Sequence, residues 1–587
     1  MMGFSCYHRA NICQLLATAP CGQSDIGGKS MKTQIAVQIL MTIALMAFST
    51  SLAAADAEKI NHDSLVADVR QLADMIEQVH PDPYINGGGK TAFHRRLQSI
   101  LDSIPADGMT SVDFFRLLRP FVTAIGDAHT RLWEAYDFVP TQPGGIPLYF
   151  KVVDTNLYVF AVPEEQYRPL IGALLVSVEG VPLRKLLNRS RTMISAENEY
   201  QLLGNLAYNG FLFLGPFLTD LLPEWREKSH IRIVLRDKDG QEAEYSIPVL
   251  SQIPEKWIKP DSQVKRPRPY PKGFEYTFLD PERKTALLVV DDMQSYREMY
   301  EGWIASNPTD AEKAIREMYK RIHQTDAPDD IKEAMAGIPS ATDTFRELVK
   351  EMREAGTRTL LVDLRYNDGG NSTMYNILLY FLYGKEVLWR AKLQLTEIER
   401  YSEYYFERNS SEDFDRINRG RKVPLARTDY DFSGDWYGRT QRDTSVVDQI
   451  KTEFQLRELD KMPTFAAEYH SGKYEGYYLP ANVMVLISPK TFSSGYTLMY
   501  YLYLAGAKIV GTPSAQAGNC FGEPFSFELH HSGLTGNISH KQFVDFHDDP
   551  EMGRVLRPHF PLTYDKLKSY AFDPNAEILL ALDICQR

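Results

Sequence analysis

The sequence predicts an α/β fold built on a parallel sheet, because its carboxyl-terminal half contains two similar strand–turn–helix units. The first reads TRTLLVDLRYN from Thr357 to Asn367, passes through a Gly-Gly turn and continues into the apolar helix MYNILLYFLYG. The second runs from Asn482 to Pro513, has the same order and ends in another strand. A continuous apolar run is typical of a strand buried on both faces. Two such units fit one sheet, in which active sites lie at the carboxyl ends of the strands.

Two serines stand where the second unit turns from strand to helix. Ser493 and Ser494 follow a break at Pro489, since proline cannot continue a central strand. A helix N-terminus offers free N–H donors and positive potential. A serine oxygen there can attack a carbonyl while nearby N–H groups hold the oxyanion. A plain helix cap is the alternative interpretation of the same two residues.

Three stretches together resemble the tail-specific protease family, also called carboxyl-terminal processing peptidases. They are VDLRYNDGG (Val362 to Gly370), LISPKTFSSG (Leu486 to Gly495) and AKIVGTPSAQAG (Ala507 to Gly518). The resemblance implies a crotonase-like (ClpP/crotonase-type) α/β core and a serine nucleophile, which aligns with Ser493. It also implies that this protein is a serine-type peptidase.

The resemblance further implies an oxyanion hole made of backbone N–H groups. Gly370 and Ser494 are expected to supply them, with Gly369 beside them, because glycine lets the backbone come close to a ligand. Ser494 lies one residue further into the helix, so we expect its side chain to point away from the reaction. A tight turn with no ligand is the alternative for the glycine pair.

The family's general-base lysine has no counterpart, because AQAGN at residues 515–519 occupies the region where it would fall. The chain therefore resembles more closely the branch that contains the tricorn core protease and interphotoreceptor retinoid-binding protein. In the protease members of that branch, a histidine far upstream is the base and a late glutamate completes the relay.

The motif GDAHTRL implies that His129 is this base, and DDPEMGR implies that Glu551 is the late glutamate, with Asp549 as the alternative. A loop histidine with only a local role is the other interpretation of His129. Ala128 replaces the serine that precedes the family's histidine, so the relay cannot be copied intact.

The amino-terminal segment is typical of a targeting signal. Residues 31–57 combine a basic start, the apolar run IAVQILMTIALMAF and an Ala-x-Ala site, which together predict a secretory signal peptide. We also predict that Met31 is the true start and that residues 1–30 are an extension outside the fold. An uncleaved anchor fits less well, because the apolar run is short for a membrane span. The mature protein is therefore expected to be exported, periplasmic or secreted, without a stable membrane span.

The rest of the chain is predicted to form three units. Residues 58–135 have helical periodicity and are expected to form a helical domain. Residues 136–252 are rich in short strands, and IGALLVSVEGVPL within them resembles the family's PDZ-like domain, which binds extended peptide at a sheet edge. A purely supporting β-domain is the alternative. A linker at 253–276 leads to the peptidase core at 277–587, which a polar insert at 385–478 interrupts as a lid or a surface excursion.

Composition narrows the choice of partners and cofactors. The net charge of −12 argues against nucleic acid as the main partner and makes no case for anionic membranes. The cysteines and histidines lack zinc-type spacing, so we predict no metal and no cofactor. Cys520 and Cys585, which remain after loss of the leader, are too few for a disulfide framework.

The sequence as a whole predicts an exported serine peptidase that hydrolyses protein or peptide substrates through an acyl-enzyme. The main alternative is a non-catalytic ligand- or peptide-binding protein on the same scaffold, which the missing lysine and Ala128 favour. An esterase-type acyl hydrolase using the same site is the third interpretation. Substrate preference, endo- or carboxy-terminal cleavage and oligomeric state stay open.

Overall fold

The computed structural model describes residues 59–133, 144–208, 212, 215–225, 229–250, 254, 256–306, 308–408, 411–454, 459–471 and 477–586. The predicted extension at 1–30 and the predicted signal peptide at 31–57 lie outside these residues. Among the described residues, no helix has the length and apolar character needed to cross a membrane.

Helices and strands alternate along most of the described chain, as an α/β protein requires. The α-helices are α1 His62–Val79, α2 Lys90–Ser103, α3 Ser111–Thr123, α4 Leu183–Ser190, α5 Glu199–Tyr208, α6 Gly215–Leu221, α7 Arg297–Ser306, α8 Pro308–His323, α9 Ile331–Ala336, α10 Ala341–Ala355, α11 Met374–Tyr383, α12 Val387–Arg390, α13 Glu403–Arg408, α14 Ser411–Asn418, α15 Trp436–Thr440, α16 Val446–Glu453, α17 Pro463–Ser471, α18 Ser494–Leu504, α19 Pro550–Arg554, α20 Tyr564–Ser569 and α21 Ala576–Cys585. The strands are β1 Arg131–Leu132, β2 Tyr149–Val153, β3 Asn156–Ala161, β4 Leu174–Val178, β5 Val181–Pro182, β6 His230–Arg236, β7 Glu242–Pro248, β8 Phe274–Phe278, β9 Thr285–Val290, β10 Thr359–Asp363, β11 Thr396–Arg400, β12 Tyr430–Asp431, β13 Asn482–Ile487, β14 Lys508–Gly511, β15 Asn519–Glu528, β16 Thr535–Val544 and β17 Phe560–Pro561.

The central sheet has the strand order β17-β14-β13-β10-β9-β8, in which β8 alone runs antiparallel to its neighbour. All residues of β10 are buried, as its unbroken apolar run predicts. Alternate residues face opposite sides of the sheet, so Leu360 and Val362 enter one core while Leu361 enters the other. Helices α10, α11 and α18 contribute to the first core and α21 to the second. The two predicted strand–turn–helix units are therefore present as β10–α11 and β13–α18–β14.

Three helices, α1 to α3, precede an antiparallel sheet with the order β2-β3-β4-β6-β7, to which β5 adds at β4. The apolar face of α1 is buried and consists of Leu65, Val69, Leu72, Ile76 and Val79. Asn61 is the cap, because its side chain accepts the N–H of Ser64 at 2.9 Å.

A second antiparallel sheet joins three distant parts of the chain. β15 and β16 form a hairpin, and β16 pairs with β1 on one stretch and with β11 on another. β1 forms the end of the motif that contains His129, whereas β11 and β12 belong to the insert. The insert thus contributes strands to a sheet instead of only covering the surface. Through β16, it is connected to the segment that carries His129.

Candidate active site

Ser493 occupies a sharp turn between β13 and α18. Its backbone has φ 51° and ψ −126°, a region that a residue with a side chain rarely adopts. The opposing turn comes close, since a Cβ added to Gly369 would lie 2.6 Å from the Cβ of Ser493. Ser493 makes no side-chain cap to α18, and no described residue bonds its hydroxyl. A strained serine with a free hydroxyl at a strand-to-helix turn has the geometry of a nucleophile elbow.

Ser494 has a different environment. It is buried, and its Oγ donates to the carbonyl oxygen of Gly370 at 2.7 Å. The hydroxyls of Ser494 and Ser372 are 2.9 Å apart. The side chain of Ser494 therefore ties α18 to the glycine turn, and Ser493 is the serine left for chemistry.

The glycine turn leaves one N–H group free next to this serine. Gly369 and Gly370 have φ values of +112° and +136°, which side chains rarely tolerate. The N–H of Gly369 donates to Oδ1 of Asn367 at 3.0 Å, and that of Asn371 to the oxygen of Met293 at 2.8 Å. The N–H of Gly370 between them has no acceptor among the described residues.

The first N–H of α18, that of Ser494, also lacks an acceptor among the described residues, as expected at a helix N-terminus. The N–H groups of Gly370 and Ser494 are thus the two available to an oxyanion. The N–H of Gly369 is occupied, so the predicted oxyanion role fits Gly370 better than Gly369.

Buried ion pairs hold the strand that leads into the glycine turn. Arg365, directly after β10, contacts Asp363 at 2.8 Å and Glu577 at 2.6 Å. Arg266 of the linker contacts Asp363 at 2.7 Å, and Lys151 of β2 contacts Glu577 at 2.7 Å. Burial raises the pKa of Asp363, but the two arginines outweigh it and hold that pKa below its usual range. These ion pairs therefore connect the end of β10 to the linker, to β2 and to α21, next to the glycine turn.

His129 packs against the residue that precedes the candidate nucleophile, although the two segments are far apart in sequence. It stands in the loop between α3 and β1, and its ring stacks on that of Phe492 with centroids 4.6 Å apart. Phe492 immediately precedes Ser493. The structure therefore brings the predicted base and the predicted nucleophile to the same corner of the molecule.

The carboxylate next to His129 belongs to Glu197. Nδ1 of His129 is 3.8 Å from Oε1 of Glu197, and both atoms are buried without a hydrogen-bond partner. The other oxygen of Glu197 accepts the N–H of Ala517 at 2.7 Å. Burial lowers the pKa of His129, but Glu197 and then Asp127 outweigh it and raise that pKa above its ordinary value. Burial raises the pKa of Glu197 in turn.

Sequence reasoning did not identify Glu197. It precedes α5, within residues 136–252, which were predicted to form a β-rich domain. No motif marks it, and its place is defined by contacts with two distant segments, at His129 and at Ala517. The sequence contained one indirect signal. Ala517, which contacts Glu197, lies in the stretch AQAGN, where the family's lysine is missing.

That stretch contributes to the site in another way. Oε1 of Gln516 accepts the N–H of Ser493 at 2.6 Å. The Nε2 of the same side chain lies 3.6 Å from Sγ of Cys520. Gln516 therefore supports the strained turn at the nucleophile, and Ala517 supports the partner of the histidine.

The predicted glutamate, Glu551, lies elsewhere. It is exposed on the short helix α19 and lines a cavity of about 490 Å³ together with Arg191, Arg554 and Arg557. The runner-up, Asp549, caps α19 by accepting the N–H of Met552 at 3.0 Å. No contact joins either carboxylate to His129 in the described parts of the chain.

Asp127, His129 and Glu197 bring ligand-type atoms within 4.8 Å of one another. Residues of these types can bind a divalent cation. Both oxygens of Asp127 already accept protein hydrogen bonds, from the N–H of His129 at 2.9 Å and from Oγ of Ser539 at 2.6 Å. The arrangement is therefore better suited to orienting an imidazole than to binding a metal.

Comparison with known proteins agrees with this geometry. Residues 321–535 match peptidase family S41, a span that includes the glycine turn and Ser493. No curated protein matches the sequence.

Among solved structures, mature CPAF has a TM-score of 0.51 at 14% identity, with 89% of this chain and 97% of that chain covered. CPAF complexed with lactacystin gives a TM-score of 0.50 at 14% identity, covering 89% and 98%. The tricorn protease gives a TM-score of 0.29 at 11% identity, with 89% of this chain and 36% of that chain covered. This TM-score is too low to assign the chain to the tricorn branch.

The likeness to CPAF shows the fold, and the S41 match confirms the prediction of an enzyme, a hydrolase of the serine-peptidase type. The mixed α/β content is confirmed as well.

Proposed function

We propose that this protein is an exported serine peptidase that cleaves peptide bonds of protein or peptide substrates through an acyl-enzyme on Ser493. The observation that carries the proposal is the strained backbone of Ser493, which directly follows Phe492, the residue whose ring stacks on His129. Backbone strain costs on the order of 1–3 kcal/mol and persists mainly where function uses it. Export is supported by the signal pattern of residues 31–57.

In the first half of the reaction, Oγ of Ser493 attacks the peptide carbonyl carbon and His129 accepts the hydroxyl proton. The N–H groups of Gly370 and Ser494 stabilise the charge that develops on the carbonyl oxygen. The C–N bond then breaks as His129 returns the proton to the leaving amine. In the second half, water attacks the ester with His129 again as base, which releases the acid and restores Ser493.

Glu197 is the acid that we assign to this relay in place of Glu551. Its carboxylate faces Nδ1 of His129, so it stabilises the imidazolium and directs the other nitrogen toward the serine. The 3.8 Å separation is longer than a hydrogen bond, but such contacts are often long without substrate and shorten when it binds.

The decisive experiment is labelling with a fluorophosphonate serine probe, followed by mapping of the modified peptide and comparison of two alanine variants. Ser493→Ala removes the attacking oxygen and should abolish labelling and hydrolysis. Ser494→Ala keeps the backbone N–H and loses a hydrogen bond worth about 1 kcal/mol, so it should retain much of the activity.

A dead Ser494→Ala beside a normal Ser493→Ala would place the nucleophile one residue later. Hydrolysis of esters but not of peptides would favour the acyl-hydrolase interpretation. Absence of labelling and of any hydrolysis would leave the non-catalytic binding protein as the function.

A further inference from the structure

A second histidine, His80, is buried behind the base. It follows α1 as its C-terminal cap, is fully buried and packs against the ring of Phe521 with centroids 4.3 Å apart. Its Nδ1 accepts the N–H of Asp82 at 3.1 Å. A ring nitrogen that accepts a hydrogen bond has no proton, so the N–H of this ring is at Nε2. That Nε2 lies 3.3 Å from Oδ2 of Asp127, an electrostatic contact without the geometry of a hydrogen bond.

Asp127 connects this histidine to the base. Its Oδ1 accepts the backbone N–H of His129 at 2.9 Å, and its Oδ2 accepts the hydroxyl of Ser539 on β16 at 2.6 Å. The carboxylate is fully buried, so these donors replace all of its water. Burial raises the pKa of Asp127, but His80, His129 and Ser539 outweigh it, and the group stays ionised.

The insert holds the turn that carries His80. Nη1 of Arg400, at the end of β11, donates to the backbone carbonyl oxygen of Glu77 at 2.6 Å and to that of His80 at 3.1 Å. Oη of Tyr430 on β12 donates to the backbone carbonyl oxygen of Pro81 at 2.6 Å. The last carbonyls of a helix lack intrahelical partners, and a cation there is favourable. Arg400 and Tyr430 therefore clamp the carboxyl end of α1.

We infer that His80 and Asp127 are positioning residues for His129, and that the insert supplies the clamp that keeps them in place. This inference rests on the proposed function, in which His129 is the base. Asp127 fixes the backbone of His129 by a hydrogen bond, His80 lies against the second oxygen of Asp127 at 3.3 Å, and Arg400 fixes the backbone of His80 by a hydrogen bond. The insert thus acts on the base through three successive contacts, without lining the reaction site.

The test combines kinetics with a titration that does not need activity. The charged or titratable groups that act on His129 are Glu197, Asp127 and Arg131, and His80 acts through Asp127. Asp127→Asn removes a negative charge that raises the pKa of His129. The acid limb of the kcat/KM profile should therefore move to lower pH. Displacement of a catalytic group by about 1 Å costs roughly 100-fold, so kcat should fall by about 10- to 100-fold with little change in KM.

His80→Leu should lower kcat by a similar factor, while His80→Gln, which keeps a donor toward Asp127, should restore part of it. Because a buried variant can fail to fold, the partly exposed Arg400→Ala provides a second route and should lower kcat by about 10-fold. Its matched control is Arg427→Ala, an exposed arginine of the insert that pairs with Glu403 and should leave kcat unchanged.

In parallel, NMR titration of the His129 ring is recorded in Ser493→Ala protein with and without Asp127→Asn or Arg400→Ala. A lower pKa with Asp127→Asn and a shifted ring resonance with Arg400→Ala support the inference, whether or not the wild type hydrolyses peptides. An inert wild type would refute the proposed function alone. Unchanged kcat, pH profile and ring titration in folded Asp127→Asn and Arg400→Ala proteins would overturn the inference, as would an equal loss in Arg427→Ala.

Discussion

Gly369 is the position where one methyl group tests the geometry of the whole site. A Cβ there would lie 2.6 Å from the Cβ of Ser493, 3.1 Å from the nitrogen of Ser494 and 3.2 Å from the oxygen of Phe492. Carbon atoms in contact prefer about 3.5–4.0 Å. Gly369→Ala therefore requires the two turns to separate by roughly 1 Å, which moves the nucleophile away from the base and from the oxyanion N–H groups.

The expected loss follows from that displacement. Misplacing a reacting group by about 1 Å costs roughly 100-fold in rate, which corresponds to about 2.7 kcal/mol of activation free energy. The new side chain also sits at φ +112°, and such backbone strain costs on the order of 1–3 kcal/mol of stability. We expect kcat/KM to fall by at least about 100-fold in a protein that still folds.

Gly506 provides the matched control. It has φ +99°, follows α18 and has no atom within 4 Å of an added Cβ. Gly506→Ala should therefore lose a similar free energy of unfolding, measured by denaturant titration, while kcat/KM on a peptide substrate and the rate of fluorophosphonate labelling stay at wild-type values. If Gly369→Ala retained wild-type kcat/KM, or if Gly506→Ala lost as much activity, the close approach of the two turns would not be what positions Ser493.

Three further predictions follow from the same structure. Glu197→Gln should lower kcat/KM by roughly 10²–10⁴-fold, and because Glu197 raises the pKa of His129, the acid limb of the pH–rate profile should move to lower pH. The exposed Glu551→Gln serves as its control, and a larger effect at Glu551 would reinstate the acid implied by the family resemblance. The low pKa of Asp363 contributes stability that is present above about pH 4 and lost as the pH falls further, so a free energy of unfolding that stays flat from pH 5 to pH 2 would contradict the role of its arginine partners. Amino-terminal sequencing of protein from its native host should find a start between Ala55 and Glu58 in an exported fraction, whereas an intact amino terminus in the cytosol would exclude export.

Features that depend on short stretches of chain could be predicted from the sequence. The apolar runs of β10 and β13 dictate strands buried on both faces, and these strands are present with the expected helices after them. The glycine pair and the serine pair stood out because a strand-to-helix turn needs particular backbone conformations at particular residues. The family resemblance selected Ser493 from the serine pair and pointed to His129, whose motif is also short and contiguous.

Contacts between distant segments were decided only by the tertiary structure. The motif DDPEMGR implied Glu551 by resemblance and no motif marked Glu197, yet neither neighbourhood in the sequence determines which carboxylate faces His129. Packing of the segment before α5 against Ala517 makes that choice.

The same reason applies to the insert, whose polar composition indicated only an exposed segment. Pairing of β11 with β16 turns it into part of a sheet and places Arg400 at the end of α1. Pairing between distant strands depends on the folded core as a whole, since every segment must find a partner for its buried face and its backbone groups. That requirement couples residues across the entire chain, and a local pattern carries no information about it.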